Sequence, residues 1–488
     1  MLDAEGVKVT EGETHASAGG VGPARLLGRA IFGALLALIV LVSIPYGTVE
    51  SWSVALFEIF VFTLGALWMA EGALSGGRWL SREHALILAP LGLLAVYAYL
   101  QSVLPMGTTP AGLREVVSAD PYETRLFALW FLSLVTFAAL LFRYTTSYKR
   151  LLALTLTVLF VGIISALFGI LRQSVQRAGE QGFLLPFLTG GAGYAQFIGR
   201  NSFAFLMEMS LGLGLGLLVG GGRQRLLLTA AALLPLWAAL VLSNSRGGIF
   251  SLLAQVVFAA ILYPMLRPSR RTIRAGAHGA SNREISIWQR AFDSVLFKSA
   301  LVLALIVITL LGTLWMGGAP LADRLETVPG ELSAEAADAT GTSRKDIWRS
   351  TINLINARPL AGSGFGAYWV AIGRYHEGSG ALSPQQAHND YLELAAGGGI
   401  LGALPFLWFV YLFVKRARAQ LLSADRFRRC MCYGALVGLF GVAMHSLVDF
   451  GLHVTANACV CLALVVIATA NTETSPAKQA GADTRRRA

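Results

Sequence analysis

Long runs of apolar residues, separated by polar segments, dominate the pattern along the chain. A helix needs about 20 predominantly apolar residues to cross the hydrocarbon core of a membrane. The pattern predicts twelve membrane-spanning helices, at residues 27–45, 51–71, 84–102, 124–142, 150–171, 203–220, 226–243, 247–266, 297–317, 399–415, 430–449 and 453–470. Because twelve is an even number, we expect both chain termini on the same side of the membrane.

Positive charge sets the expected orientation. Most of the 39 Lys and Arg residues fall in the terminal segments and in the loops on their side, which the positive-inside tendency makes cytoplasmic. The predicted organisation is a cytoplasmic tail at 1–26, helices 1–9 at 27–317, a large outer loop at 318–398, helices 10–12 at 399–470 and a second cytoplasmic tail at 471–488. A loop of that length is usually functional.

Composition favours a membrane protein and argues against one class of partner. The chain is 55% hydrophobic and 14% charged, whereas soluble domains carry about 25% charged residues. Its net charge of +11 could indicate nucleic acid, but the basic residues concentrate in the predicted cytoplasmic segments. We therefore attribute the excess to membrane topology and expect no nucleic-acid partner.

Three arginines lie at the predicted outer boundary. Arg246 follows Ser245 in "LSNSRGGIF", where two glycines leave the backbone open to a ligand. Arg344 opens a predicted helix in the outer loop, and Arg200 begins predicted helix 6. Arginine grips phosphate through paired hydrogen bonds, so the three side chains indicate a phosphate-bearing ligand. The simpler alternatives are an interfacial anchor for Arg246 and a solvated surface charge for Arg344.

The helix predicted in the outer loop is amphipathic. In "TSRKDIWRSTINLINARP", Trp348, Ile352 and Ile355 recur at helical spacing, and Pro359 ends the run. We expect this short helix to lie on the membrane.

A polar triplet precedes predicted helix 10. In "QQAHNDYLELAAGGGILG", His388, Asn389 and Asp390 stand in a row. Histidine is the natural general base near neutral pH, because its side chain ordinarily titrates near ~6.5. Asp390 or Asn389 could orient the ring, although many single histidines only satisfy a local hydrogen bond.

The last predicted outer turn, "MHSLVDFGLHVTANA", is also rich in polar residues. His445 and Asp449 are supporting candidates there, because polar groups at membrane depth are costly and usually functional. The alternative is a polar network that pins two helix ends. Because the outer segments contain no metal-ligand pattern, we expect neither a metal ion nor a cofactor.

Four segments resemble the O-antigen ligase and O-antigen polymerase superfamily of bacterial envelope glycan enzymes. They are "SNSRGG", "IWRSTINLINARPLAGSGFGAY", "AHNDYLELAAGGGILG" and "HSLVDFGLHVTANA", and the resemblance covers about residues 195–470. It implies an all-α integral membrane protein of GT-C-type glycosyltransferase architecture. It also implies a multi-pass protein of the bacterial inner membrane with a periplasmic active site.

The resemblance further implies the chemistry. The donor would be a glycan on undecaprenyl diphosphate, transferred with inversion and without a metal ion or a nucleotide sugar. Matched residue by residue, Arg246 and Arg344 bind the diphosphate, Arg200 is a weaker match, and His388 acts as the base. The chain departs from the family pattern at Ser202, where His is frequent, and at Gly397, where Glu is frequent.

The acceptor distinguishes the members of this superfamily. A ligase transfers the glycan to lipid A-core, and a polymerase transfers it to another lipid-linked repeat; the motifs fit both, and we favour the ligase. A transporter of lipid-linked glycans is the rival from another class, supported by the helix number and by Glu58 and Glu208 within helices. Transporters more often show internal repeats and a midplane site, whereas polar residues here concentrate at the outer boundary.

Overall fold

The computed structural model describes residues 21–75, 79–108, 114–176, 193–221, 223–266, 344–376 and 384–471, and the isolated positions 307 and 311. The helices up to residue 266 are α1 (Val21–Leu41), α2 (Ser51–Leu74), α3 (Arg82–Gln101), α4 (Pro121–Tyr144), α5 (Tyr148–Val175), α6 (Arg200–Gly220), α7 (Arg223–Leu242) and α8 (Arg246–Leu262). The later helices are α9 (Arg344–Ala357), the single turn α10 (Tyr368–Ala371), α11 (Asp390–Leu421), α12 (Arg426–His445) and α13 (Thr455–Thr469).

The structure confirms the all-helical membrane class. In the described part of the chain, nine helices are long and apolar enough to cross a membrane, and α7 and α13 supply shorter apolar stretches. These helices coincide with the predicted runs other than 297–317, of which the structure describes only positions 307 and 311. The count of twelve and the GT-C architecture stay predictions.

A short hairpin departs from the helical pattern. Strand β1 (Pro105–Thr108) pairs antiparallel with β2 (Arg114–Val116) between α3 and α4. The pairing continues toward α3, where the N–H of Ser118 donates to the carbonyl of Gln101 at 3.0 Å. An isolated two-stranded hairpin is marginal in water, so the sequence pattern carries little signal for it.

Helices α6 and α12 approach until their backbones touch. A Cβ atom at Gly216 would lie 2.8 Å from Cα of Gly434, and one at Gly434 would lie 2.7 Å from Cα of Gly216. Gly212 meets Gly438 in the same way. Small residues permit such contact between membrane helices, where close packing drives association. Because the contacts run in opposite order along the two helices, the start of α6 lies beside the end of α12.

Helix α11 is broken near its start. Gly399 has φ 58° and ψ −159°, a conformation open to glycine. Segment 359–364 fills the break through backbone hydrogen bonds of 2.9 to 3.1 Å on both sides of it. The side-chain amide of Gln101 donates to the carbonyls of Ala361 and Gly397 at 2.7 and 2.8 Å. The start predicted for helix 10 at residue 399 coincides with this break.

The predicted loop helix is present as α9. It packs on the protein through Ile347, Thr351 and Leu354, and the hydroxyl of Thr351 lies 2.7 Å from that of Tyr368. Ile352, in the predicted apolar stripe, is 48% exposed. Ile352 therefore faces outward, whereas Trp348 and Ile355 are half-buried against the protein; contact of the helix with the membrane stays a prediction.

Replacing Gly216 with leucine should destabilise the α6–α12 contact. Overpacking of a filled site typically costs ~1–3 kcal/mol, so we expect a lower thermal unfolding midpoint for the detergent-purified protein. Gly92→Leu on α3 is the control, because a Cβ atom there meets nothing within 4 Å. Equal midpoints for the two variants would contradict the close contact.

Candidate active site

The polar motifs meet at one end of the helix bundle. Helices α6 and α8 begin there, and α12 ends there. The N–H of Asp390, at the start of α11, donates to the carbonyl of Ser446 at 3.0 Å. A Cβ atom at Gly247 on α8 would lie 2.5 Å from Nε2 of His445. Segments that are far apart in the sequence therefore form one region.

The imidazole of His388 faces the carboxylate of Asp449. Nδ1 of His388 lies 3.5 Å from Oδ1 of Asp449, and the two side chains are 34% and 7% exposed. That distance is at the outer limit of a hydrogen bond, so the contact is primarily electrostatic. Phe450 packs edge-on against the ring, with ring centroids 4.9 Å apart. One side of the imidazole is thus held by protein, and the ring stays partly accessible.

The backbone of His388 is strained. Its φ is 49°, in the left-handed region that residues other than glycine rarely adopt. Such strain persists only where the surrounding structure imposes it, and it concentrates at functional sites. The conformation supports a functional role for this residue.

Two side chains connect Asp449 to the start of α8. The amide of Asn201 donates to Oδ2 of Asp449, and the hydroxyl of Ser245 donates to the amide oxygen of Asn201 at 2.7 Å. Ser245 also accepts from the N–H of Gly248 at 3.1 Å and caps α8. His388, Asp449, Asn201 and Ser245 form a continuous series of contacts, which we call the His388–Ser245 network.

Asp449 retains its charge although it is buried. Burial alone would raise the pKa of its carboxyl, but contact with His388 and the fields of His445 and Arg344 hold that pKa below its usual range. The N–H of Phe450 also donates to Oδ1 at 2.9 Å. A negative charge therefore stands beside the His388 ring at neutral pH.

Asn389 caps α11. Its side-chain oxygen accepts from the N–H groups of Tyr391 and Leu392 at 3.0 Å each, and its NH₂ group donates to the carbonyl of Leu447 at 2.8 Å. Asparagine is among the best residues for this position. The amide is thus engaged with the backbone, and the expectation that it orients the His388 ring is not met.

Asp390 turns toward the loop after α12. Its Oδ2 accepts the hydroxyl of Ser446 at 2.7 Å, and its Oδ1 lies 3.7 Å from Nε2 of His453. Among the described residues, the carboxylate beside the His388 ring is that of Asp449. The first turn of α11 directs Asp390 away from the ring, and the orienting role of either carboxylate stays a prediction.

The three arginines each begin a helix in this region. Arg246 is the first residue of α8 and is half-buried, and Arg344 is the first residue of α9 and acts electrostatically on Asp449. Arg200 begins α6, is exposed, and directly precedes Asn201. Free N–H groups at a helix start favour anions. The arrangement is suited to an anionic ligand beside the network.

Helix α9 is tied to the segment that carries His388. The indole N–H of Trp348 donates to the carbonyl of Ala387 at 3.0 Å. The N–H of Ala387 donates in turn to the carboxylate of Glu393 on α11 at 3.0 Å. The residue directly before His388 is thus held from both sides, which positions the ring and the start of α9 relative to each other.

A buried pair of titratable side chains lies beneath the network. Nδ1 of His445 is 2.7 Å from Oε1 of Glu208, and both side chains are fully buried. Phe205 stacks on the imidazole at 4.1 Å, and the hydroxyl of Ser251 donates to Glu208 at 2.9 Å. His445 therefore joins α12 to α6 and α8, consistent with a supporting role.

The sequence did not identify every member of the site. Asn201 stands at a predicted helix boundary, where a polar residue is unremarkable, and only its contacts reveal its place. Glu208 was noted as costly within a helix, without its partner His445. Ser202 and Gly397, where the chain departs from the family pattern, form hydrogen bonds through their backbone carbonyls. The carbonyl of Ser202 accepts from Asn457 at 2.8 Å, and that of Gly397 accepts from Gln101.

The described residues gather no group of three or more His, Cys, Asp or Glu side chains suited to a metal ion. The metal-independent reaction remains a prediction. The site combines the partly exposed imidazole of His388, the carboxylate of Asp449 beside it, and arginines at the starts of three helices. The imidazole can accept a proton beside a bound anion.

Comparison with known families agrees with this arrangement. Residues 230–407 match the family model described as O-antigen ligase. The matched segment includes the start of α8, α9 and His388, and it supports the O-antigen ligase and polymerase superfamily for this chain. No curated protein matches the chain.

Asp449→Asn should lower transfer activity about 100-fold or more, because the ring loses the charge that stabilises its protonated form. The rate of glycan transfer by the purified protein is the measurement. Asp120→Asn is the matched control: Asp120 accepts from two backbone N–H groups at 3.1 Å at the start of α4, and asparagine caps a helix equally well. Full activity of Asp449→Asn would show that the carboxylate does not assist His388.

Proposed function

With residues 230–407 carrying an O-antigen ligase domain, we propose that the protein transfers a glycan from undecaprenyl diphosphate to a hydroxyl group of lipid A-core. The reaction takes place on the periplasmic face of the bacterial inner membrane, with both chain termini cytoplasmic. The observation that carries this proposal is the His388–Ser245 network, which joins an accessible imidazole to the start of α8. Transfer from a diphosphate requires both a proton acceptor and an anion site.

His388 is the proposed general base. The acceptor oxygen attacks the anomeric carbon, and the new C–O bond forms as the hydroxyl proton passes to Nε2 of His388. Nδ1 faces Asp449 at 3.5 Å, which leaves Nε2 for the acceptor. The carboxylate then stabilises the imidazolium, as the third group beside a catalytic base does.

The diphosphate is the leaving group. The bond between the anomeric carbon and the diphosphate oxygen breaks as the acceptor bond forms, and its electron pair leaves with the diphosphate. Attack opposite the leaving group inverts the anomeric centre. Arg246 and Arg344 are proposed to stabilise the charge that develops, with Arg200 in a smaller role. Fixed positive charges can do this without a metal ion.

A gene deletion tests the proposal and separates the ligase from the polymerase. Loss of long-chain lipopolysaccharide, with polymer still present on the lipid carrier, is the result expected for a ligase. Lipopolysaccharide that carries a single repeat would identify a polymerase with the same donor chemistry. Lipopolysaccharide without the glycan, with the lipid-linked glycan retained in the cytoplasmic leaflet, would favour a transporter.

His388→Ala should reduce glycan transfer by at least ~100-fold, the usual contribution of a general base. The measurement is the transfer rate of purified protein with a lipid-linked donor. His376→Ala is the control: this histidine is half-buried, and its Nδ1 lies 3.4 Å from the hydroxyl of Ser350. A fully active His388→Ala protein would refute the assignment of the base.

Arg246→Lys should lower activity about tenfold or more, although the charge is kept. A lysine ammonium cannot reproduce the two parallel hydrogen bonds of a guanidinium on phosphate, and a hydrogen bond to a charged group contributes roughly 1.5–3 kcal/mol. Donor binding and transfer rate are measured separately. If both are normal in Arg246→Lys, the residue is only an interfacial anchor.

Activity should survive excess EDTA and gain nothing from Mg²⁺ or Mn²⁺. It should fall in acidic medium, because a protonated imidazole cannot accept a proton. Asp449 does not produce this loss, since contact with His388 holds the pKa of its carboxyl below the usual aspartate range. The test is a transfer assay across pH, with and without chelator. Activity lost in EDTA and restored by Mn²⁺ would reveal a metal-dependent reaction.

A further inference from the structure

Basic side chains gather at the end of the bundle opposite the His388–Ser245 network. Helices α3 and α12 begin there, and α11 and α13 end there. Arg416 of α11 pairs with Glu83 of α3, and Asn471 donates to the same carboxylate at 2.8 Å. Arg428 of α12 donates from Nη1 to the carbonyl of Ile467 on α13. Four helix ends therefore meet around these side chains.

His84, Arg416 and Arg428 form a cluster. Arg416 and Arg428 both act electrostatically on His84, and Arg416 also acts on Arg428. Arg428 is 3% exposed and His84 is 7% exposed. The acidic groups that act on this cluster are Glu83 and Asp425. Glu83 already accepts from Arg416 and Asn471.

Several buried nitrogens in the cluster have no hydrogen-bond partner among the described residues. They are Nε and Nη2 of Arg428, Nε of Arg416 and Nε2 of His84. Buried polar groups in proteins are almost always hydrogen-bonded, and a buried charged donor without an acceptor is costly. Unpartnered nitrogens on α3, α11 and α12 therefore indicate a bound group that supplies several acceptor oxygens.

We propose that the cluster of His84, Arg416 and Arg428 binds the phosphate of an anionic phospholipid in the membrane leaflet at this end of the bundle. Phosphate supplies several acceptor oxygens, and a guanidinium matches their geometry. Basic pockets between helix ends are known lipid headgroup sites. The outer face of α11 near its end exposes Tyr411 and Val414, at 61% and 54%, and offers an apolar surface for the acyl chains. That surface favours a lipid over free phosphate.

The test is lipid binding by the purified full-length protein in a neutral detergent. Native mass spectrometry compares phosphatidylglycerol with phosphatidylcholine of the same acyl chains, and thermal unfolding reports stabilisation. We expect preferential retention of phosphatidylglycerol and a higher unfolding midpoint in its presence. Arg428→Gln should weaken this binding about tenfold. Arg418→Gln is the matched control, since Arg418 is an exposed residue at the same end of α11.

Arg416→Gln is a second variant, because Arg428 also supports α13 and its loss can affect folding. It leaves the Arg428–Ile467 bond in place and should also weaken phosphatidylglycerol binding. Equal affinity for the two lipids, or wild-type binding by both variants, would overturn the proposal. Inorganic phosphate that binds as tightly as phosphatidylglycerol would identify a soluble anion site and overturn the lipid assignment. Binding of neither would mean that water fills the cluster, and the proposal would be wrong.

Discussion

The backbone contact between α6 and α12 is the constraint on which the candidate site depends. Glycines on both helices let the two helix backbones touch, as at Gly216 and Gly434. Because the helices are antiparallel, this contact also fixes the start of α6 beside the end of α12. Asn201 then reaches Asp449 with a single side chain. Helices separated by larger residues would leave the carboxylate buried without its amide partner, which is strongly destabilising.

Polar pairs at greater depth make the same arrangement specific. Glu208 on α6 meets His445 on α12, and Ser251 on α8 completes the contact. A carboxylate within a membrane helix is costly unless it is paired. Other registers of these helices would leave Glu208 without its partner and would therefore be less stable. The glycines permit close approach along the whole contact, while the polar pair selects one register. The two effects together position the start of α8, where Ser245 and Arg246 lie.

The helices could be predicted from sequence because runs of spanning length have few alternative structures. The candidate region could also be anticipated, since its polar residues stand at helix boundaries. The partner of His388 could not: Asp390 is adjacent in sequence, but the first turn of α11 points it toward Ser446. Asn389 was predicted as an orienting group, but capping engages its side chain. Which carboxylate meets the ring depends on the packing of α11 against the turn after α12, and local sequence does not encode that packing.

The roles proposed for the network concern the proton and the diphosphate, and a ligase and a polymerase share both. Neither His388 nor Asp449 can therefore determine which acceptor is used. That choice requires contacts with the acceptor beyond its reacting hydroxyl. Among the described elements, α9 is held directly beside the base through Trp348, and it exposes Lys345 and Arg349 on its outer face. Exposed cations near the proposed base suit an acceptor that carries phosphate rather than an uncharged sugar, so α9 is placed to take part in the choice of acceptor.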